Sequence, residues 1–220
     1  MPTVTDPQLL TFKNWIFRLR LANPTPGRLL LLIHGWMGDE NSMWVFTRNL
    51  SPDYAILGPR GPFAVTEGGY SWREVGPGTW GMSPLEDLRP AADALLAFVD
   101  DWAASARMDV NQFDLMGFSQ GAAMTYTLAF LYPERVRQLA ALSGFIPEHG
   151  EALLASQRFS GKAVFVSHGR QDELIPVEQA RKAVAQLERA GVLVTYCESD
   201  GGHKVSKECL KEMEMFFEKY

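Results

Sequence analysis

Cysteine is scarce in this 220-residue chain, which has two, Cys197 and Cys209. They form no C-x-x-C pair and supply too few ligands for a cysteine-rich metal centre. Both are expected to be reduced structural thiols, and no metal is expected. Long apolar runs are also missing. The first ten residues lack the basic start and apolar stretch of a signal peptide, and no window reaches the roughly 18 apolar residues needed to span a bilayer. Neither a Met-Gly start nor a terminal Cys box is present, so no lipid anchor is indicated. A soluble, cytoplasmic chain is the expectation, with no stable membrane anchor. Blocks of like charge are absent too: 21 Lys and Arg are interspersed with 26 Asp and Glu, for a net charge of −5. Nucleic acid would require a basic patch to displace its counterions, so no nucleic-acid partner is expected. No internal repeat, low-complexity tract or interdomain linker breaks the chain. Residues 1–220 are read as a single domain, and 46% hydrophobic residues suffice for a sizeable core.

What is present is a regular alternation of short apolar runs with longer amphipathic stretches. This pattern predicts an α/β fold, a mostly parallel twisted sheet with helices on both faces. Strands are expected at 29–33, 54–57, 113–116, 139–142, 163–167 and 193–197. Near the start Trp15, Phe17, Leu19 and Leu21 alternate with more polar neighbours, which predicts a partly exposed edge strand. Ser83-Pro84-Leu85-Glu86 reads as a helix start with Ser83 as cap and Pro84 at the first helical position, the helix running to about Ala106. Pro176 opens another helix whose Ala180, Ala183, Val184 and Leu187 share a face, with Gly191 placed for a left-handed cap. A last helix runs through Leu210, Met213 and Phe217. The Gly- and Pro-rich stretch 58–81 is too long for a plain connection and is a candidate active-site loop. Between Gly144 and Gly161 there is room for a short helix but not for a large cap domain.

Gly117-Phe118-Ser119-Gln120-Gly121 fits G-x-S-x-G, a bend that exposes a serine between a strand and a helix. A buried strand precedes it and a buried helix, 122–129, follows. A serine hydroxyl attacks a carbonyl only if a base takes its proton, and histidine titrates close enough to neutrality to take it and return it. With the order nucleophile, acid, base along the chain, His34 precedes Ser119 and is set aside. His149 reads as a solvated loop residue, and His168 as support for the loop that carries the acid. His203, in Gly201-Gly202-His203 after the last strand, is the candidate base. Asp172 and Asp200 are the only aspartates after Ser119. Asp200 sits three residues from His203, a short separation for reaching the far ring nitrogen, so Asp172 is the candidate acid and Glu173 the second choice. The oxyanion hole is expected from the backbone N–H of Gln120 and of Trp36, the latter in the Gly-rich loop His34-Gly35-Trp36-Met37-Gly38-Asp39. Trp36, Met37, Tyr70, Trp72, Trp80 and Phe118 are candidates to line an apolar pocket.

Taken together, 34–39, Gly69-Tyr70-Ser71-Trp72, 117–121, His168-Gly169 through Asp172 to Pro176, and Gly202-His203 resemble the phospholipase/carboxylesterase family, which includes acyl-protein thioesterases. The resemblance runs from about Leu29 to the C-terminus. It implies an α/β-hydrolase fold without a large cap domain, no cofactor, and Ser119, Asp172 and His203 as catalytic residues. Trp36 is bulkier than the residue the family often carries there, and no long apolar loop for lipid chains is apparent. The resulting expectation is a serine carboxylesterase acting on small to medium acyl esters, a small-molecule ester as its partner, and a monomer or homodimer. The alternatives are an acyl-protein thioesterase or lysophospholipase for long acyl chains, another hydrolysis on the same scaffold, and a non-catalytic hydrolase fold that binds a ligand.

Overall fold

The computed structural model describes residues 6–23, 27–74, 82–154 and 158–220. In chain order the elements are β1 (Gln8–Phe12), β2 (Trp15–Arg20), β3 (Arg28–Ile33), a 3-10 turn (Trp44–Phe46), β4 (Tyr54–Pro59), β5 (Phe63–Ala64), β6 (Tyr70–Ser71), α1 (Leu85–Ala106), β7 (Phe113–Phe118), α2 (Gln120–Leu131), β8 (Val136–Leu142), α3 (Gly150–Leu154), β9 (Ala163–Gly169), α4 (Val177–Arg189), β10 (Leu193–Ser199) and α5 (Lys207–Lys219). Eight strands form one sheet in the order β1-β2-β4-β3-β7-β8-β9-β10, and β5 pairs with β6 in a small hairpin. From β4 across to β10 every neighbouring pair is parallel, while β2 runs antiparallel to both β1 and β4.

Successive strand residues point to opposite faces, and the buried side chains divide accordingly. Leu29, Leu31 and Ile33 of β3 join the cluster that includes residues of α1, α2 and α4. Leu30 and Leu32 join the cluster that holds Met213, Phe216 and Phe217 of α5. The sheet is thus covered on both faces, which is why its central strands are continuous apolar runs. α2 lies over β7 and β8, and the side chains of 120–130 are all buried.

Three local features differ from the sequence reading. The alternating strand at Trp15 is not the edge: a two-residue turn at Lys13-Asn14, with Lys13 at φ 52°, pairs it with β1, which takes the outer position. Pro84 is the N-cap of α1 and helical geometry begins at Leu85; Ser83 makes no capping bond, and the Leu85 N–H donates instead to the Glu148 carbonyl at 3.0 Å. Cys197 and Cys209 are joined in a disulfide, not reduced thiols. The strand–loop–helix from β10 into α5 folds back on itself and brings their Cα atoms to 5.5 Å, within bonding range. The end of α4 matches its signal. Gly191 adopts φ +79°, its N–H reaches the Glu188 carbonyl and the Val192 N–H the Leu187 carbonyl, the paired bonds of a Schellman cap.

Candidate active site

The C-terminal ends of β7, β9 and β10 lie along the same edge of one parallel sheet, with β8 between β7 and β9, and each is followed by one of the predicted polar residues. Ser119 follows β7 in a backbone conformation, φ 57° and ψ −119°, that non-glycine residues rarely occupy. The surroundings hold it there by close packing. A Cβ on Gly121 would stand 2.0 Å from the Ile33 carbonyl oxygen, and one on Gly117 would stand 2.2 Å from the Gly121 carbonyl oxygen. Only glycine at both positions lets the first turn of α2 cross this close to β3, and that crossing forces the chain to bend at the serine.

Ser119 Oγ lies 2.9 Å from His203 Nε2, and His203 Nδ1 lies 2.7 Å from Asp172 Oδ2. The other carboxylate oxygen, Oδ1, accepts the N–H groups of Leu174 and Ile175 at 3.0 and 2.9 Å. Since the carboxylate only accepts, Nδ1 carries the ring proton and Nε2 faces the serine hydroxyl as acceptor. The Asp172 side chain is fully buried, whereas His203 keeps a modest exposed edge and packs on the Phe118 ring at 4.9 Å between centroids. The loop carrying His203 is tied to the loop carrying Asp172: the Gln171 N–H donates to the Gly201 carbonyl and the Arg170 N–H to the Ser199 carbonyl, both at 2.8 Å.

The residues set aside in the sequence reading lie elsewhere. Asp200 is exposed and pairs with Arg170. Glu173 is exposed. His149 is exposed beside Glu86, at 3.0 Å, whose hydrogen bond raises its pKa above the ordinary value. His168 is buried behind Asp172.

Ser119 and His203 open onto a cavity of about 420 Å³, whose wall also includes Trp36, Met37, Gln120 and Phe118. Two pocket expectations need correction. Trp72 is fully buried and does not line the cavity; its indole N–H donates to the His34 carbonyl at 2.8 Å, bracing the loop after β3. Tyr70 is likewise absent from the wall, because the Arg60 guanidinium stacks on its ring at 4.6 Å and donates to its hydroxyl at 3.1 Å. Trp80 lies outside the described residues. In their place stand Met43, Val45 and Phe46 around the 3-10 turn, Phe145 after β8, and Leu174 and Ile175 beside the acid. These were missed because no local pattern marks them; the turn that delivers the first three is nucleated by Asp39, whose carboxylate accepts from the Asn41 N–H and the Ser42 hydroxyl at 2.9 Å.

Two further polar groups support the site. The Gln120 side chain accepts from the Trp72 N–H at 3.1 Å and bonds the Ser71 hydroxyl at 3.0 Å, fastening the hairpin loop to the start of α2. His34 bonds the Gly35 carbonyl through Nδ1 at 2.7 Å and accepts the Gly61 N–H on Nε2 at 2.8 Å. Among the described residues no cluster of three His, Cys, Asp or Glu side chains is arranged to hold a metal ion, and no helix is long and apolar enough to cross a membrane.

Residues 22–220 match the phospholipase/carboxylesterase family. Carboxylesterase SOBER1 of Arabidopsis thaliana is 28% identical over 141 residues, 62% of this chain and 61% of that protein. Acyl-protein thioesterase 1 of Kluyveromyces lactis is 27% identical over 214 residues, 88% of this chain and 92% of that protein. Among solved structures, the carboxylesterase of Bacillus cereus superposes with a TM-score of 0.81 at 22% identity, covering 94% of each chain, a likeness of fold. With its match running from residue 22 to residue 220, the chain belongs to the phospholipase/carboxylesterase family and is an ester-bond hydrolase of the α/β-hydrolase fold.

Proposed function

We propose that the chain is a serine carboxylesterase that hydrolyses small to medium acyl esters through an acyl-enzyme on Ser119. The observation that carries this reading is the relay from Asp172 Oδ2 through His203 to Ser119 Oγ, with contacts of 2.7 and 2.9 Å, opening on the cavity. As Oγ attacks the ester carbonyl, His203 Nε2 takes the hydroxyl proton, and Asp172 stabilises the imidazolium without accepting that proton. The carbonyl oxygen becomes an oxyanion beside the backbone of Trp36 and Gln120, whose N–H groups are the donors in this scheme. Collapse expels the alcohol, protonated by His203. Water, deprotonated by the same ring, then attacks the acyl-enzyme, and the acid leaves with Ser119 restored. The scheme calls for no cofactor. A cavity of about 420 Å³ lies toward the small end of ligand sites, which favours short and medium acyl groups.

A second reading, a thioesterase or lysophospholipase for long acyl chains, is favoured by the cavity mouth. Met37, Val45, Met82 and Leu174 line it and are large, apolar and exposed, so they could carry chain carbons that the cavity does not hold. The name of the Kluyveromyces lactis relative points the same way.

Hydrolysis of p-nitrophenyl esters from acetate to palmitate, run beside a palmitoyl thioester, separates the two: an optimum at short or medium chains is expected, and a clear optimum at long chains overturns it. Ser119→Ala should lower turnover by about 10⁶; a variant that keeps most of its activity refutes the nucleophile. A fluorophosphonate probe should label Ser119, and a chain left unmodified there would instead be a binding protein. kcat/KM should show an acid limb, because a general base must be unprotonated to act, and a profile without one argues against this mechanism.

A further inference from the structure

His168 stands at the end of β9, four residues before Asp172, and the scheme above gives it no part. Its side chain is fully buried. Nε2 lies 2.8 Å from the Ile175 carbonyl oxygen and 3.3 Å from Asp172 Oδ2, the same oxygen that faces His203 Nδ1. Two acceptors facing one ring nitrogen require that nitrogen to carry the proton. Nδ1 is buried and has no hydrogen-bond partner among the described residues, so a proton placed there would leave a buried donor unsatisfied. The hydrogen-bond pattern therefore assigns the proton to Nε2.

That N–H does two things at once. It ties the Ile175 carbonyl back to the end of β9, and Ile175 is one of the two residues whose N–H groups grip Asp172 Oδ1. Its positive end also stands beside Oδ2. We propose that His168 is a positioning residue for Asp172, fixing the turn from Asp172 to Ile175 so that Oδ2 addresses His203. The inference rests on the Ser119–His203–Asp172 reading. It differs from a packing role, for which any side chain of similar volume would serve.

The amide nitrogen of glutamine reaches to about where Nε2 stands, while that of asparagine reaches only to the position of Nδ1, where no acceptor waits. His168→Gln should keep kcat within about threefold of the parent. His168→Asn should lower kcat by about 10- to 100-fold with KM little changed, the size of loss that accompanies a misaimed catalytic group. The acid limb of kcat/KM should also move to higher pH in His168→Asn, because a carboxylate without the neighbouring N–H holds the imidazolium proton more strongly. If His168→Asn does not fold, His168→Phe takes its place with the same two outcomes. Equal kcat and equal acid limbs in the donor-bearing and donor-lacking variants, whether both active or both impaired, overturn the proposal. Ser119→Ala and Asp172→Asn run alongside: activity retained in those two refutes the triad itself, whereas their loss beside unaffected His168 variants refutes only the role of His168.

Discussion

The ring of His34 is fixed by two backbone groups. The Gly61 N–H donates to Nε2, so the ring proton sits on Nδ1 and is given to the Gly35 carbonyl. This clamps the loop whose next residue, Trp36, stands beside the nucleophile. Burial is the largest influence on the ring and holds its pKa below the ordinary value, against the opposing pull of the Gly35 hydrogen bond and of Asp39 and Glu40. A histidine depressed in the folded state takes up its proton first in the unfolded chain. Stability is therefore full above about pH 6.5 and is lost as pH falls through that value toward the folded one, by at most about 1.4 kcal/mol per pH unit. Urea denaturation of wild type and His34→Gln at pH 7.5 and 5.5 checks this. The difference in stability between the two proteins should shrink at the lower pH; a difference that stays constant excludes His34 as the source.

β10, the His203 loop and α5 form a unit closed by Cys197–Cys209, 12 residues apart. The same unit is held by the Ser206 hydroxyl, which caps α5 by accepting the Cys209 N–H at 3.1 Å, and by the backbone bonds from Arg170 and Gln171. Cross-linking a loop of this length restricts the unfolded chain and is worth about 3 kcal/mol. A Cys197→Ser, Cys209→Ser double variant should lose about that much in guanidinium denaturation. Its turnover should stay within a few-fold, since the backbone bonds still hold His203 opposite Ser119; a collapse of turnover in folded variant would make the disulfide part of the catalytic machinery. The pair also bears on location: trapping thiols in the source cells distinguishes the disulfide of an oxidising compartment from the dithiol that a cytoplasmic setting would maintain.

At the scale of the whole molecule the sheet has two chemically different ends. Asp114, near the start of β7, is fully buried, with Arg28 and Arg137 each at 2.9 Å and the Tyr54 hydroxyl at 2.8 Å. Burial, foremost, and the neighbouring carboxylate push the Tyr54 hydroxyl well above its usual pKa. This cluster joins β3, β4, β7 and β8 at one end, while Ser119 follows the other end of β7. Asp114→Ala leaves the buried Tyr54 hydroxyl and Gln138 amide without their acceptor and two partly exposed arginines without their partner, and should cost about 1–3 kcal/mol. Activity per folded molecule, titrated with a fluorophosphonate, should be unchanged. A fall in that specific activity would mean that the two ends are coupled.

Apart from β1 and the β5–β6 hairpin, the strands, the helices and the candidate triad were legible in the sequence because each leaves a local mark: apolar runs for buried strands, Gly191 for a helix end, glycines on both sides of Ser119 for a bend, and only two aspartates and three histidines from which to choose its partners. The sequence alone therefore determined a β/α alternation and a short set of residues able to perform acyl transfer. The tertiary structure decided what no local pattern encodes. It made β1 the edge strand, brought Cys197 within bonding distance of Cys209, turned Trp72 into a brace and Tyr70 into a partner for Arg60, and lined the cavity with Phe46, Phe145 and Ile175. Each of these depends on contacts between segments far apart along the chain, and an aromatic or thiol side chain has the same local sequence signature whether it faces a cavity, a neighbour or solvent.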